Sequence, residues 1–339
     1  MTIKDVAQRS GYAVGTVSRV INGHPDVSDE ARVKIMAVVE EMGFHPNDNA
    51  RHLKQRGGNG IAIIVKGTRN LLFASILEEM QSRIKGAGRA AAVYYLDEDN
   101  DEVEQAVRVC REFKPLGILF LGGNQNNFER RFGAVKCPCV LVTTRADTMG
   151  FKNLSSVSTD DAEGAAQAIR HLISAGHRNI GVIGGHPCEG VGVGGANISQ
   201  SRLFGCRKGF MEAGIPFDEE RQFVAARFSM LGGYEGAGEL LDRCPGLTAI
   251  FAMADVMAIG ALRAIRDRGL RVPEDISLIG YDGIEQADYC FPRLTTIQQH
   301  AGQLARRGVD ILLRQVKGGA AIHEIVPFQL SCGESVREV

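Results

Sequence analysis

The side chains with the most specific chemistry lie on one short segment near the amino terminus, VGTVSRVIN (14–22). Arg19 can donate two hydrogen bonds to O6 and N7 of guanine, a pairing that discriminates between bases by about 1–3 kcal/mol. Val14 can contact only a thymine methyl group, and Gly15 has no side chain to read with. Other polar residues can bond to phosphates, which positions a helix without reading sequence: Thr16, Ser18 and Asn22. This segment predicts a surface that reads DNA.

Two short helices across a tight turn would place that segment in a major groove. Apolar residues at helical spacing predict a first helix that begins at Thr2 as its cap and ends at Gly11. The reading segment forms the second helix. Ser28 caps a third helix that ends at Gly43. The pattern therefore predicts a helix-turn-helix head over residues 1–45.

The head carries little net charge, since Lys and Arg barely outnumber Asp and Glu in this part of the chain. A strong basic footprint is therefore missing, and an ordinary three-helix bundle without a ligand is the alternative interpretation. The basic residues that we expect at the DNA lie in the segments nearest to it: Lys4, Arg19, Arg51 and Lys54.

A hinge helix and linker are predicted for residues 46–59, where Pro46 starts a new segment and Asn47 can cap it. So short a helix is marginal in water, and we expect it to form when paired with a second copy on DNA. Leu53 could then wedge between base steps in the minor groove. A frayed linker is the alternative, because three glycines follow by residue 60.

The remaining chain alternates apolar runs with amphipathic helical stretches, which predicts parallel sheets covered on both faces. The runs are too many for one sheet, so we expect two doubly wound lobes. The runs lie at 60–65, 90–96, 117–123, 138–144, 179–185, 249–255 and 276–282.

Three crossings between the lobes are expected, near residues 158–161, 292–298 and 322–328. The N-terminal lobe would then hold 60–159 and 294–323, and the C-terminal lobe 160–293 and 324–339. Three crossings would make a hinge.

Ligands of such folds bind at the carboxyl ends of the strands. Asp282 ends one run, and Arg202 lies near the start of a helix after a glycine-rich loop. A carboxylate and a guanidinium facing a cleft can fix a small polar ligand, with Phe73 and Phe228 as apolar faces. The alternative interpretation is a structural ion pair and two core Phe residues.

Several function classes find little support in the composition. The net charge is −1, the eight Cys and eight His are scattered, and no catalytic constellation stands out, so we expect no cofactor, no metal and no enzyme. The run GVGVGG (190–195) fails the context of a dinucleotide site. No signal peptide or apolar span is apparent, so we expect a cytoplasmic, nucleoid-associated protein without a membrane segment.

The motifs TIKDVAQRSG, GTVSRVING and VSDEAR.KI, with GF.PN..AR.L after them, resemble the LacI/GalR family of bacterial transcription regulators, and the similarity extends over nearly the whole chain. The resemblance implies that Val14, Gly15 and Arg19 read the operator and that Leu53 intercalates at its centre. Asp48 differs from the family pattern, because it is an acidic residue in a segment that would approach phosphates.

The resemblance also implies an effector site. Arg202 and Asp282 would contact the effector, Phe228 would pack on it, and Asp255 matches the usual acidic residue. Two positions depart from the sugar-responsive pattern, since Ala254 replaces an Asn and Thr143 stands where an Asp is common. The effector is then a sugar, a phosphosugar or a nucleobase-like metabolite.

Together these features predict a repressor whose affinity for a palindromic operator is set by a small molecule. The tail LSCGESVREV adds no heptad helix, so a homodimer is expected. The alternatives are a solute-binding receptor without DNA function and an enzyme of doubly wound fold.

Overall fold

The computed structural model describes residues 3–21, 27–41, 60–67, 69–186 and 197–339. Contacts divide the chain into two units, Met1–Gly57 and Gly58–Val339. Each unit has its own buried apolar cluster.

The first unit contains three helices, α1 Ile3–Ser10, α2 Val14–Ile21 and α3 Asp29–Glu41. Gly11 follows α1 at φ +76°, and the Ser28 hydroxyl accepts from the Ala31 amide at 3.4 Å. These are the stop and the cap that the sequence predicts. The inner faces of the helices meet in one apolar core: Val6, Ala7, Val17, Val20 and Ile35.

The strands of the second unit, in chain order, are β1 Gly60–Lys66, β2 Ala90–Leu96, β3 Gly117–Leu121, β4 Cys139–Val142, β5 Leu154–Ser158, β6 Ile180–Gly184, β7 Phe223–Ala225, β8 Ala249–Ala252, β9 Ser277–Asp282, β10 Thr295–Gln299, β11 His323–Ile325 and β12 Phe328–Ser331. The helices are α4 Leu71–Gly86, α5 Glu102–Glu112, α6 Gln125–Arg131, α7 Asp161–Ser174, α8 Ile198–Glu212, α9 Glu219–Gln222, α10 Met230–Arg243, α11 Asp255–Asp267, α12 Glu285–Asp288 and α13 Ala301–Val316.

These strands form two six-stranded sheets, one per lobe. The N-terminal sheet has the order β11-β5-β4-β3-β1-β2 and is parallel throughout. The C-terminal sheet has the order β12-β10-β9-β8-β6-β7, and only its β12 edge pairs antiparallel. Two doubly wound lobes are therefore confirmed. Their central strands are buried on both faces, which explains why they are continuous apolar runs.

The chain crosses between the sheets three times, and the first crossing lies between β5 and α7, as predicted. The second prediction, at 292–298, is wrong. β10 pairs in parallel with β9, so the chain stays in the C-terminal lobe to Gln299 before α13 packs on β4 and β5. The third crossing follows Ile325. The sequence predicts that the N-terminal lobe ends at residue 323, but β11 pairs with β5 up to Ile325.

Two helices of the C-terminal lobe, α7 and α8, approach each other closely through glycine. A Cβ atom on Gly205 would collide with the carbonyl oxygen of Ala162, and one on Gly209 would lie 2.9 Å from Ile169 Cβ. Because these two positions have no side chain, α8, which carries Arg202, can pack closely against α7.

We predict that Gly205→Ala lowers the free energy of unfolding by about 1–3 kcal/mol, because backbone must move to admit the methyl group. The urea midpoint measures this loss. Gly86→Ala is the matched control, since Gly86 ends α4 and no atom lies within 4 Å of the added carbon. That variant should gain roughly 0.5–1 kcal/mol from helix propensity. Equal effects of the two changes would contradict the close approach.

Candidate functional site

The predicted DNA-reading residues lie on α2 and its neighbours. Val17 and Val20 of α2 are buried against α1 and α3, and this leaves Gly15 and Arg19 exposed and Thr16 half-buried on other faces. The backbone of Val14 and Ser18 belongs to α2, and that of Lys4 to α1. The other predicted DNA contacts, and Asp48, lie outside the described residues: Thr2, Asn22, Asn47, Arg51, Leu53 and Lys54.

A cavity of about 330 Å³ lies between the two lobes of the second unit, at the carboxyl ends of the strands. The rule for open α/β sheets therefore located it correctly. The structure brings five of the predicted effector residues to its lining: Phe73, Thr143, Arg202, Phe228 and Asp282.

Arg202 is the central charge of the cavity, on α8 and only 3% exposed. Its Nε donates to Asp161 Oδ1 at 2.8 Å, its Nη1 to the Met253 carbonyl, and its Nη2 to Asp282 Oδ1 at 3.5 Å. The guanidinium also lies 3.6 Å from the centre of the Tyr281 ring. Burial acts to lower the pKa of Arg202, but the two carboxylates hold it above its ordinary value. The ion remains charged and oriented.

Asp282 ends β9 at φ +120°, which turns its carboxylate into the cavity. Oδ1 accepts from Gln299 Nε2 at 2.8 Å, and Oδ2 accepts from Asn70 Nδ2 at 3.3 Å. Burial raises the pKa of Asp282 to about 6, although Arg202, Gln299 and Asn70 act to lower it. The bond from Asn70 joins the two lobes, because Asn70 also caps α4 in the N-terminal lobe.

Thr143 follows β4 at φ +73°, a backbone conformation that costs free energy for a β-branched residue. Its hydroxyl is buried and has no hydrogen-bond partner within the part of the chain that the structure describes. A buried hydroxyl without a partner is unfavourable, so this group is free to bond to a ligand.

Two apolar faces bound the cavity. Phe73 of α4 lies against Gly122, where a Cβ atom would come within 3.1 Å of the ring. Phe228 lies against Gly185 in the same way, so a side chain at Gly185 would collide with it. The glycines at the ends of β3 and β6 thus let each ring reach the cavity.

Two predicted effector residues do not reach the cavity, and this corrects the expectation. Ala254 and Asp255 are fully buried at the start of α11. Asp255 accepts from the Gly283 and Ile284 amides at 2.7 and 2.9 Å and from the Thr296 hydroxyl at 2.6 Å. Asp255 therefore holds the turn after Asp282 rather than facing the ligand.

Sequence reasoning missed several lining residues. Gln299 ends β10, where the sequence predicts a lobe crossing rather than a strand. Asn70 lies in the loop after β1, at the carboxyl end of a predicted strand. Four charged residues at the rim were also missed: Asp97, Glu98, Asp99 and Arg227. Strand position was the signal for Gln299 and Asn70, whereas nothing local marks the rim residues.

The buried Asp255 predicts an unusual pH dependence. Burial and the neighbouring Asp282 raise the pKa of Asp255 to about 8 from its ordinary 3.8. The folded chain therefore holds a proton that the unfolded chain releases, so stability that is full below pH 3.8 is lost as pH rises towards 8.

We predict that Asp255→Asn, which cannot ionise, gains stability relative to the parent as pH rises over this interval. Its amide can donate to the Thr296 oxygen while its carbonyl keeps the two backbone donors. Urea midpoints across the pH range measure the difference. The exposed Asp242, paired with Arg268 at 3.0 Å, gives the control Asp242→Asn. A constant offset between Asp255→Asn and the parent would refute the raised pKa.

Within the described residues, no three His, Cys, Asp or Glu side chains are placed to hold a metal ion. Among the described helices, none is both long and apolar enough to cross a bilayer.

Comparisons with known sequences match both units. The profile of bacterial regulatory proteins of the lacI family matches residues 2–47, and that of a periplasmic binding protein-like domain matches residues 169–336. The regulator MalR of Clostridium butyricum is 34% identical over 97% of both chains. The ribose operon repressor of Haemophilus influenzae is 31% identical over 98% of this chain and 96% of its own.

Solved structures agree. A complex of the transcriptional regulator CelR with cellobiose has a TM-score of 0.71 at 27% identity, and each chain is covered to 99%. A lac repressor dimer bound to operator and the anti-inducer ONPF has a TM-score of 0.71 at 26% identity, again with 99% of each chain covered. These proteins are regulators rather than enzymes, in agreement with the prediction for this chain.

Proposed function

Since this chain belongs to the LacI family of bacterial regulatory proteins, we propose that it is a repressor that binds a palindromic operator as a homodimer. A small, neutral, hydroxyl-rich metabolite such as a sugar binds between its lobes and changes its affinity for the operator. The observation that carries the proposal is that one chain bears both a helix, α2, on which Gly15 and Arg19 are exposed and a polar cavity between two lobes.

The pairing of Arg202 and Lys66 favours a neutral ligand over an anion at these two cations. Arg202 faces Asp161 and Asp282, and Lys66 donates to Glu102 at 2.6 Å. An anionic phosphosugar would have to compete with these carboxylates for the cations. Hydroxyl groups can instead donate to Asp282 and bond to Thr143 without disturbing either ion pair.

The apolar faces of the cavity complete this preference. Phe73 and Phe228 can cover the C–H faces of a ring, while Asn70 and Gln299 offer amides at its edge. A nucleobase would use the same rings but could engage fewer of the polar groups. A sugar therefore fits the mixture of rings and hydrogen-bonding groups best.

Movement of the lobes can change the affinity for the operator, because the protein binds as a symmetric dimer. A dimer places two reading helices on the two halves of a palindrome. Lobe movement about the three crossings would change the spacing between them. Such a protein works on the chromosome, in the bacterial cytoplasm.

The test is to sequence the fragments that the purified full-length protein retains from sheared source-genome DNA. We expect enrichment of a short palindrome with a flexible pyrimidine–purine step at its centre. Operator binding is then titrated with neutral sugars, phosphosugars and nucleobases. A lack of enrichment both with and without a metabolite extract would contradict the proposal and favour the solute-receptor alternative.

We predict that Arg19→Ala loses discrimination at one base pair of each half-site by about 1–3 kcal/mol. Competition binding with single-base operator variants measures this loss. Arg32→Ala, on α3, is the control and should keep the sequence preference of the parent. If the preference of Arg19→Ala were unchanged, Arg19 would not read a base.

We predict that Thr143→Val weakens effector binding by about 1 kcal/mol, roughly fivefold, and slightly raises the unfolding midpoint, because it removes a buried hydroxyl that lacks a partner among the described residues. Calorimetric titration with the metabolite that the operator titration selects measures the affinity, and a urea melt measures the midpoint. Thr248→Val is the reverse control, which should lower the unfolding midpoint and leave effector affinity unchanged. The Thr248 hydroxyl bonds to His177 at 2.9 Å, and Thr248 does not line the cavity. Equal effector affinity of Thr143→Val and the parent would exclude the contact.

A further inference from the structure

A cluster of four charged residues, which we call the rim cluster, joins the two lobes at the mouth of the cavity. It consists of Arg227 in the C-terminal lobe, between β7 and α10, and of Asp97, Glu98 and Asp99 in the N-terminal lobe, after β2. Arg227 Nη2 lies 3.0 Å from Asp97 Oδ1, and its Nε lies 2.7 Å from Glu98 Oε1. The Asp99 carboxylate also contacts Nη2.

The rim cluster differs from ion pairs that stay within one lobe. Arg83 pairs with Asp310 across two helices of the N-terminal lobe, and Arg263 pairs with Asp267 along α11. Lobe movement leaves such pairs intact. It must break the contacts of Arg227, because the guanidinium and its partners lie on opposite sides of the cleft.

The charges of the rim cluster are unequal, since three carboxylates surround one guanidinium. In an open molecule, residues 97–99 would keep the charge of Arg69 in their own lobe but lose that of Arg227, so the three adjacent carboxylates would repel one another more strongly. Closure restores the charge of Arg227. The electrostatic free energy therefore favours the closed arrangement even with no ligand in the cavity.

We propose that the rim cluster is an electrostatic latch, which holds the lobes closed and sets how readily the cavity opens. A second contact between lobes, from Asn70 to Asp282, lies deeper and involves the groups that a ligand would engage. The rim cluster lies beside that site, so its contribution persists when a ligand displaces Asn70. The contacts of the rim cluster need neither the proposed ligand nor DNA.

The full chain contains no Trp, which provides a clean optical test. Phe228→Trp places a single Trp on the cavity wall of the full-length protein, and quenching by acrylamide, a neutral molecule, reports access to it. Adding Arg227→Gln should raise the quenching constant about twofold in ligand-free protein. Raising NaCl from about 0.05 to about 1 M should raise it in the Phe228→Trp parent but not in the Arg227→Gln variant, because salt screens exposed charges.

Two further variants separate a latch from a local effect beside the new Trp. Arg263→Gln breaks an ion pair within one lobe and should leave quenching unchanged. Arg227→Glu combined with Asp97→Lys, Glu98→Gln and Asp99→Lys exchanges the signs of charge between the lobes and should restore protection. Circular dichroism melts verify that each variant is folded.

The latch is supported if quenching rises with Arg227→Gln or salt and falls again when the charges are exchanged. It is overturned if Arg227→Gln and its Phe228→Trp parent are quenched equally at low salt. It is also overturned if the exchanged charges fail to restore protection, since the change would then be local to the tryptophan.

Discussion

The buried guanidinium of Arg202 is the constraint on which the C-terminal lobe and its cavity depend. A buried cation must be paired, and Arg202 takes its partners from three separate segments: Asp161 at the start of α7, the Met253 carbonyl after β8, and Asp282 at the end of β9. These partners fix where the strand ends meet. Asp282 then extends the network through Gln299 and to Asn70 in the other lobe, so one charge orders both walls of the cavity.

Much of the fold follows from patterns that a single sequence carries. Strands buried on both faces appear as continuous apolar runs, and glycine and serine mark the helix ends of the head, as Gly11 and Ser28 do. Asp282 could be selected because it ends such a strand, and Arg202 because it lies near the start of the helix that follows another. The pair is a structural ion pair, as the alternative interpretation holds, and it also lines the cavity.

The sequence does not show which polar residues are buried with hydrogen-bond partners from distant segments. β5 reads Leu-Ser-Ser-Val-Ser, yet it is fully buried, because Ser155 bonds to Gln315 and Ser156 to His323 from a segment far along the chain. β10 likewise consists of Thr, Ile and Gln, so its sequence does not form the continuous apolar run that marks the central strands. Asp255 looks like a ligand-facing acid at a strand end, and only the positions of Gly283, Ile284 and Thr296 show that its bonds turn inward.

The late return of the chain to the N-terminal lobe bears on how the protein forms on the ribosome. Synthesis produces β1–β5 first, but α13 covers β4 and β5, and β11 flanks β5, after the whole of β6–β10 has been made. The antiparallel edge strand β12 of the other sheet is made later still. A nascent chain that ends before residue 301 therefore leaves apolar strand surface uncovered in the N-terminal lobe. Its dependence on chaperones should be greatest in that interval of translation.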